Sequence, residues 1–104
     1  CYPKLNVKIA LTHAGISVGE DGGSHQSVED VALMRAVPNM TVLVPADATE
    51  TQRMMDAAVA IDGPVYIRLG RLDTNVIFDD DYEFEVGKAV TLKEGHDLTI
   101  MAMA

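Results

Sequence analysis

The sequence predicts an α/β fold in which a parallel β-sheet is flanked by helices. Three short apolar runs at residues 7–11, 41–44 and 65–69 are rich in β-branched side chains and have the length of buried strands. Stretches with helical periodicity separate the three runs. Because an alternation of strand and helix requires crossover connections, the strands are expected to be parallel and the crossovers right-handed.

The first helix is predicted to begin near Val28, directly after a loop rich in glycine. Ser27 is the expected N-cap, and Asp30 stands three residues later in an arrangement like a capping box. Pro38 ends the helix, because the residue before a proline disfavours the helical conformation. The apolar residues with helical spacing, which are expected to form the buried face, are Val28, Val31, Ala32 and Ala36.

A second helix is predicted between the strands at 41–44 and 65–69. Asp47 is the expected N-cap, and Glu50 occupies the capping-box position. The apolar residues that share one face of this helix are Met54, Ala58 and Ile61.

The chain changes character after residue 72. Residues 1–72 hold the alternating strands and helices, whereas residues 73–85 lack helical periodicity and are predicted to be a surface linker. Residues 86–104 are predicted to begin a second, C-terminal α/β domain, with strands at 86–92 and 98–103. Because the last of these strands has nothing after it to pair against, we expect the chain to be a piece of a longer polypeptide.

Composition restricts the class of function. The 104 residues carry a formal net charge of −8, which argues against a nucleic-acid backbone or an anionic membrane as the partner. No apolar run approaches the roughly 20 residues of a membrane-spanning helix. The single cysteine, Cys1, cannot form an internal disulfide and favours a reducing compartment, so we expect a cytoplasmic protein.

The loop after the first strand carries the side chains best suited to chemistry. Residues 12–26 combine glycine and other small residues, which let the backbone approach a ligand closely, with two histidines and two carboxylates. In α/β folds the loops at the carboxyl ends of strands form the ligand sites, so the sequence predicts a site here. The four side chains are His13, Glu20, Asp21 and His25.

Several short motifs follow one another along residues 5–75. They are residues 12–13 (TH), 19–26 (GEDGGSHQ), 35–40 (RAVPNM), 45–47 (PAD) with Glu50, 63–64 (GP) and 67–71 (IRLGR). In order and spacing, these motifs resemble those of the transketolase family of thiamine-diphosphate enzymes. The glycine-rich loop matches that of the family's pyrimidine-binding domain, and the resemblance is close over about residues 5–75.

Departures from the common family pattern indicate a subclass. Gly23 and Ser27 stand where many members have proline, and Ala14 stands where many have aspartate. These residues are more typical of split transketolases, whose two halves are separate chains. The resemblance therefore implies the C-terminal section or subunit of a split transketolase, with residues 1–72 as part of its pyrimidine-binding domain.

The resemblance implies an activity, a cofactor and partners. The family transfers a two-carbon ketol unit between a ketose phosphate and an aldose phosphate. Its cofactor is thiamine diphosphate with Mg²⁺, and the site for both is completed by residues outside this chain. The implied partners are sugar phosphates and a second subunit, in a homodimer or in a heterotetramer with a diphosphate-binding subunit. We therefore expect the isolated chain to be inactive.

The resemblance also implies roles for individual residues. His25 would lie beside the reacting carbonyl, where an imidazole donates a hydrogen bond or shuttles a proton. Asp21 would accept a hydrogen bond from the C2 hydroxyl of the sugar. His13 and Arg71 would grip the sugar phosphate, since a guanidinium fork matches phosphate oxygens. Glu20 is a further candidate, as a ligand of the cofactor.

Each of these side chains has a purely structural alternative. His25 could bond to local backbone, Asp21 could close its own turn, and His13 and Arg71 could be ordinary side chains at strand ends. Arg68 is the alternative to Arg71 as phosphate ligand, but the family's arginine lies just beyond the strand, which favours Arg71. The remaining acidic residues, at 29, 30 and 79–81, are predicted to be solvated charges.

Two other functions stay open on the sequence alone. Deoxyxylulose-phosphate synthase shares the Asp-Gly-x-x-His loop, but it usually has alanine in place of Glu20 and an Arg-Ala-Gly start in place of residues 12–15. A non-catalytic half-domain that only pairs with a partner chain would not need His13, Asp21 and His25 together. The intact set favours transketolase.

Overall fold

Three parallel strands and two α-helices alternate along the chain, as the sequence predicts. The structure, a computed structural model, describes residues 1–103. The strands are β1 (Lys8–Leu11), β2 (Thr41–Leu43) and β3 (Val65–Arg68), and the helices are α1 (Asp30–Ala36) and α2 (Ala48–Ala60). Two short 3₁₀ turns, Gly19–Asp21 and Gly23–His25, lie between β1 and α1.

The strand order β1-β3-β2 places β3 at the centre of the sheet. Tyr66 of β3 is in register with Ile9 of β1 on one side and with Val42 of β2 on the other. The chain crosses from β1 past β3 to β2 and then returns to β3, so its two connections run in opposite directions across the sheet. Connections of one hand that run in opposite directions place their helices on opposite faces. Hence α1 and α2 cover different faces of β3.

The two faces of β3 differ in chemistry. Val65 and Ile67 are fully buried and pack against α2. Tyr66 and Arg68 alternate with them, point to the opposite face and reach Asp30 at the start of α1. The apolar core consists of Leu43, Met54, Ala58, Val65 and Ile67, with Ile61, Leu69 and Phe84 packed against it.

The beginning of α2 confirms the predicted cap. The Asp47 carboxylate accepts a hydrogen bond from the backbone N–H of Glu50 at 2.7 Å. The Glu50 carboxylate in turn accepts one from the backbone N–H of Ala46 at 2.7 Å. These bonds satisfy backbone donors that the helix itself leaves without partners. The predicted apolar face of the helix is buried or partly buried against the sheet.

The predicted start and buried face of α1 are wrong. The helix begins at Asp30, and Ser27 does not cap it. The backbone carbonyl of Ser27 instead accepts a hydrogen bond from the N–H of Gly15 at 2.7 Å, so this segment runs beside the glycine-rich loop before the helix begins. Asp30 is the buried residue of the helix, whereas most of the predicted apolar face is exposed. The face of α1 that is turned toward the sheet is the one that carries Asp30, which accepts hydrogen bonds from Tyr66 and Arg68 of β3.

The predicted linker contains no helix or strand, and it is fastened to the beginning of α2. The second carboxylate oxygen of Asp47 accepts hydrogen bonds from the backbone N–H groups of Ile77 and Phe78, at 2.7 and 2.8 Å. The Tyr82 hydroxyl donates to Glu50 at 2.9 Å, and the rings of Phe78 and Tyr82 stack with centroids 3.9 Å apart. The two carboxylates that cap the helix therefore also hold the linker.

The strands predicted at 86–92 and 98–103 are absent, and the described part of the chain contains no strand after β3. A strand needs a neighbour for its backbone N–H and C=O groups, and the structure offers these segments none within residues 1–103. The domain start at residue 86 stays a prediction, and the last residue of that predicted domain, Ala104, lies outside the described residues. In the described range, no helix is long and apolar enough to cross a membrane.

Candidate active site

Two loops meet at the carboxyl ends of β1 and β3, which are neighbours in the sheet. The first is the glycine-rich loop at residues 12–26, and the second begins at Leu69. Backbone hydrogen bonds connect them, because the N–H of Leu69 donates to Leu11 at 2.8 Å and the N–H of Ala14 donates to Leu69 at 3.2 Å. The topology thus brings residues that are far apart in the sequence to the edge where α/β folds bind ligands.

Two 3₁₀ turns give the glycine-rich loop its shape. Asp21 ends the first turn, and His25 ends the second. Gly22 joins the turns with a φ of 76° and a ψ of −178°, a conformation that is essentially restricted to glycine. Val18, which is fully buried, anchors the loop to the rest of the protein. The relative orientation of the two turns therefore depends on Gly22.

Asp21 is the centre of an ion cluster. Its Oδ2 lies 2.6 Å from Nε of Arg71 and 3.7 Å from Nε2 of His13. The Arg71 guanidinium also lies 3.4 Å from the Glu20 carboxylate. The side chains of Asp21 and Arg71 are 30% and 29% exposed, whereas that of Glu20 is 88% exposed, so water screens the Glu20 contact more strongly. The cluster unites the three predicted substrate-binding residues.

The contact between Asp21 and Arg71 is a charge pair without good hydrogen-bond geometry. Although Nε of Arg71 is close, Oδ2 of Asp21 is a buried oxygen that accepts no hydrogen bond within residues 1–103. Buried polar atoms normally have a hydrogen-bond partner, and an exception calls for an explanation. The structural alternative, in which Asp21 bonds to its own turn, does not supply this oxygen with a partner.

His13 has a strained backbone. Its φ is 66°, a value that is uncommon for a residue other than glycine and costs about 1–3 kcal/mol unless the surroundings compensate. Oγ1 of Thr12 lies 2.8 Å from Nδ1 of His13, so the other ring nitrogen, Nε2, is the one near Asp21. The loop holds the imidazole at the cluster in a conformation that it would not adopt alone.

His25 lies apart from this cluster. Its side chain is exposed, and its Nδ1 lies 3.1 Å from the hydroxyl of Ser24. Within the described residues, no hydrogen bond or ion pair joins His25 to Asp21 or Arg71. The imidazole is accessible to a ligand, but it does not belong to the same hydrogen-bonded group.

The geometry distinguishes the two candidate arginines. Arg71 lies in the loop beside Asp21, so it is more than a solvated charge at a strand end. Arg68 lies on the α1 side of the sheet, where its Nε donates to Asp30 at 3.0 Å and its side chain is only 17% exposed. Of the two, Arg71 is the one that reaches the predicted substrate residues.

A buried polar cluster that is not predicted from the sequence lies beside the site. The Asp30 carboxylate accepts hydrogen bonds from the Tyr66 hydroxyl at 2.9 Å and from Nε of Arg68 at 3.0 Å. Burial, together with the hydrogen bond and charge of Asp30, raises the pKa of Tyr66 to about 12 against the opposing effect of Arg68. The prediction that Asp30 is solvated was wrong. The alternation of Tyr66 and Arg68 with Val65 and Ile67 is the signal that could have indicated a polar partner on that face.

The residues present do not form a site for a diphosphate and its cation. Within residues 1–103, no group of three or more His, Cys, Asp or Glu side chains could hold a metal ion. The arginine of the cluster, Arg71, already faces two carboxylates. The arrangement suits a ligand that offers a hydroxyl to Asp21 and an anionic group to Arg71 and His13.

Comparison with protein families identifies the chain. The family described as "Transketolase, pyrimidine binding domain" matches residues 1–76, which is most of the chain. The chain belongs to this family. Its membership confirms the resemblance that the loop motifs indicate.

Individual relatives extend the similarity beyond the matched domain. The chain is 53% identical over 103 residues to the "Putative transketolase C-terminal section" of Methanocaldococcus jannaschii, which covers 97% of this chain and 33% of the relative. It is 41% identical over 105 residues to the 1-deoxy-D-xylulose-5-phosphate synthase of Desulforudis audaxviator, with coverage of 99% and 16%. The chain therefore spans a third or less of the length of these relatives.

A solved structure has the same fold. The structure described as "Split gene transketolase, inactive beta4 tetramer" superposes with a TM-score of 0.79 at 57% sequence identity. The match covers 91% of this chain and 30% of that chain. The α/β architecture of the transketolase pyrimidine domain is thereby confirmed for this sequence.

Proposed function

We propose that the protein to which this chain belongs is a transketolase, which transfers a two-carbon ketol unit between ketose and aldose phosphates. Within it, this chain supplies part of the wall that contacts the sugar. The observation that carries the proposal is the ion cluster in which Oδ2 of Asp21 lies 2.6 Å from Nε of Arg71 and 3.7 Å from Nε2 of His13. A hydroxyl of a phosphorylated sugar would donate to the Asp21 carboxylate, while the two basic side chains would attract the phosphate.

The proposed roles divide the sugar between the two turns of the loop. Asp21 accepts a hydrogen bond from the C2 hydroxyl, and Arg71 with His13 binds the phosphate. His25 acts at the reacting carbonyl, where it stabilises the oxygen that gains charge or moves a proton. Because the C2 hydroxyl is next to the carbonyl and far from the phosphate of the sugar, these roles require the Asp21 carboxylate, which lies 2.6 Å from Nε of Arg71, to leave the guanidinium when the phosphate binds there.

Phosphate binding would compete with contacts that already exist. Arg71 lies against Asp21 and Glu20, so a phosphate must replace these carboxylates around the guanidinium. Because phosphate offers oxygens that match the guanidinium fork, the exchange is favourable for a dianionic ligand. It would also release Asp21 to receive the sugar hydroxyl.

The proposed cofactor is thiamine diphosphate with Mg²⁺, which family membership supports for the complete protein. Parts of the protein outside residues 1–103 would hold the diphosphate and the cation. Glu20 stays a candidate contact to the cofactor, since its side chain is accessible. A second subunit is the proposed protein partner, in a homodimer or a heterotetramer, and we expect the isolated chain to be inactive. The lone Cys1 supports a cytoplasmic location.

A second candidate is a deoxyxylulose-phosphate synthase, and the similarity to such an enzyme of Desulforudis audaxviator favours keeping it. Glu20 and the Thr12-His13 pair argue for transketolase, because the synthases usually carry other residues there. A third candidate is a non-catalytic assembly unit, but this function does not explain why Asp21, His13 and Arg71 lie together.

The test is a comparison of two donors with the complete protein, thiamine diphosphate and Mg²⁺. We expect turnover with xylulose 5-phosphate and ribose 5-phosphate, and none with pyruvate and glyceraldehyde 3-phosphate. The reverse result would assign the synthase activity. Absence of turnover with both pairs, in a fully assembled protein that binds the cofactor, would favour the assembly unit.

A further inference from the structure

We propose that Arg68, held by Asp30 and Tyr66, is a positioning residue that fixes the segment of the glycine-rich loop carrying His13. We call Tyr66, Asp30 and Arg68 the buried triad. The inference rests on the function proposed above, because it assigns His13 to the phosphate of the substrate. On this proposal, substrate binding also depends on the three residues of the buried triad, although none of them contacts the substrate.

Charge and hydrogen bonds join the residues of the buried triad. Tyr66 is 2% exposed and Asp30 is 8% exposed, and a single oxygen, Oδ2 of Asp30, accepts from both the tyrosine and the arginine. A carboxylate that is removed from water needs a partner of opposite charge, and a guanidinium remains charged at every pH that proteins tolerate. The contact with Asp30 therefore ties the Arg68 guanidinium, which extends from the end of β3, to the start of α1.

The outer part of the Arg68 guanidinium lies against the backbone of the glycine-rich loop. A Cβ atom added to Gly15 would come within 2.9 Å of Nη2 of Arg68, which is closer than real contacts allow. Gly15 also has a φ of 80°, which other residues rarely adopt. The guanidinium and the loop thus come together at Gly15, which has no side chain to separate them.

This contact supports the strained segment of the loop. Gly15 donates its N–H to Ser27 at 2.7 Å, and Ala14 donates its N–H to Leu69 at 3.2 Å. His13 immediately precedes these two anchored residues and has the positive φ that requires compensation from its surroundings. The Arg68 guanidinium fills the space between Gly15 and the sheet, so residues 13–15 cannot move toward the sheet. The imidazole of His13 therefore stays beside Asp21.

The decisive variant is Arg68→Lys in the complete protein, because lysine keeps the charge but loses the planar guanidinium that contacts Gly15. We expect KM for ribose 5-phosphate to rise about tenfold, in proportion to the loss of one charge-assisted contact. We expect kcat, and kcat/KM for unphosphorylated ribose, to stay within about twofold of the wild type. A matched control is Lys88→Gln, which breaks the exposed ion pair with Glu85 and should change none of these values.

A merely structural role would give a different pattern. If Arg68→Lys lowered the activity toward both acceptors in parallel, or changed neither, the positioning role would be overturned. Tyr66→Phe is the milder variant, since it removes one hydrogen bond of the buried triad and keeps the ion pair. It should shift the same KM in the same direction by a smaller factor, and it preserves the test if Arg68→Lys does not fold.

Amide hydrogen exchange separates this inference from the proposed function. In Arg68→Lys the N–H groups of Ala14 and Gly15 should exchange faster than in the wild type, while those of Tyr66 and Ile67 keep their protection. If the wild-type protein transfers no ketol unit, the proposed function fails, and the exchange pattern still decides whether Arg68 fixes the loop. Unchanged exchange at Ala14 and Gly15 would overturn the positioning role even in an active enzyme.

Discussion

At the scale of single residues, the contacts of Arg71 bear most directly on the proposed binding of a sugar phosphate. The guanidinium is 29% exposed and lies beside two carboxylates, so it is neither a free surface charge nor a sealed structural pair. An arginine in this condition can exchange its carboxylate partners for a phosphate without breaking the fold. The affinity for phosphorylated sugars should therefore depend on this one side chain.

We predict that Arg71→Ala in the complete protein raises KM for ribose 5-phosphate about 10- to 100-fold. A hydrogen bond to a charged group contributes roughly 1.5–3 kcal/mol, and each 1.4 kcal/mol corresponds to a factor of about ten. Steady-state kinetics with ribose 5-phosphate and with ribose measure the effect. Arg35→Ala, which removes an exposed arginine of α1, is the matched control. Equal KM values in both variants would contradict the phosphate role.

The sequence could locate most of the candidate site, but not its pairings. The loop motif identifies His13, Asp21 and His25, because glycine spacing and residue type are visible along the chain. That Asp21 meets Arg71, and that His25 stands apart, depends on the strand order, which no local pattern specifies. The burial of Asp30 is not predicted, because helical periodicity considers only the spacing of apolar residues. In the structure, the face of β3 that α1 covers is polar, and the helix therefore turns Asp30 toward it.

At the scale of elements, the beginning of α2 connects the helix cap with the linker. Asp47 accepts hydrogen bonds from the helix on one oxygen and from the backbone of Ile77 and Phe78 on the other. Glu50 accepts the Tyr82 hydroxyl in addition to its own bond to Ala46. The sequence predicts the capping roles of Asp47 and Glu50 in α2. It does not predict their hydrogen bonds to the linker, because the linker has no periodic pattern.

We predict that Asp47→Ala lowers the free energy of unfolding by roughly 2–4 kcal/mol. A lost N-cap costs about 1 kcal/mol, and buried N–H groups left without an acceptor cost about 1–3 kcal/mol more. Urea denaturation followed by circular dichroism measures the change. Asp56→Ala, at an exposed position of the same helix, is the control and should stay within about 0.5 kcal/mol of the wild type. A loss of about 1 kcal/mol or less in Asp47→Ala would show that the linker contacts contribute nothing.

Asp47→Ala should also change how the stability of the protein depends on pH. Burial raises the pKa of Asp47, but hydrogen bonds from the backbone N–H groups of Glu50, Phe78, Ile77 and Thr49 outweigh it and lower the pKa below its usual value. A lowered folded-state pKa means that the unfolded chain binds the proton more readily. The contribution is therefore present above about pH 4 and is lost as the pH falls further. Asp47→Ala should flatten this acid limb of the stability curve.

Tyr82 predicts the opposite, alkaline dependence. Burial, followed by the hydrogen bond and charge of Glu50, raises the pKa of Tyr82 to about 12. An unfolded tyrosine loses its proton near pH 10, so the stabilising contribution is complete below about pH 10 and is lost as the pH rises toward 12. We expect Tyr82→Phe to reduce the fall in stability over this interval, measured by thermal unfolding at each pH. An unchanged alkaline limb would exclude the Tyr82 contact as its source.

At the scale of the whole molecule, the described residues form a three-stranded sheet in which β1 and β2 are the edge strands. Leu11 at the end of β1, and Leu5 and Val7 just before it, are 48–60% exposed. Apolar edge strands associate readily with other chains or segments, and the relatives named above are about three to six times as long as this chain. This arrangement supports a site that is completed by other parts of a larger assembly. The α/β class could be predicted from the strand and helix alternation, whereas the strands expected after residue 86 could not form without a neighbour.

The variant His25→Ala tests most directly whether the glycine-rich loop supplies a catalytic imidazole. The ketol-transfer rate of the complete protein should fall about 10²- to 10⁴-fold, the usual contribution of a positioned acid–base group, with melting temperature and subunit assembly unchanged. His96→Ala, at another exposed histidine, is the matched control and should keep the full rate. If His25→Ala turned over at the wild-type rate, the loop would not be catalytic, and the chain would be better described as an assembly unit.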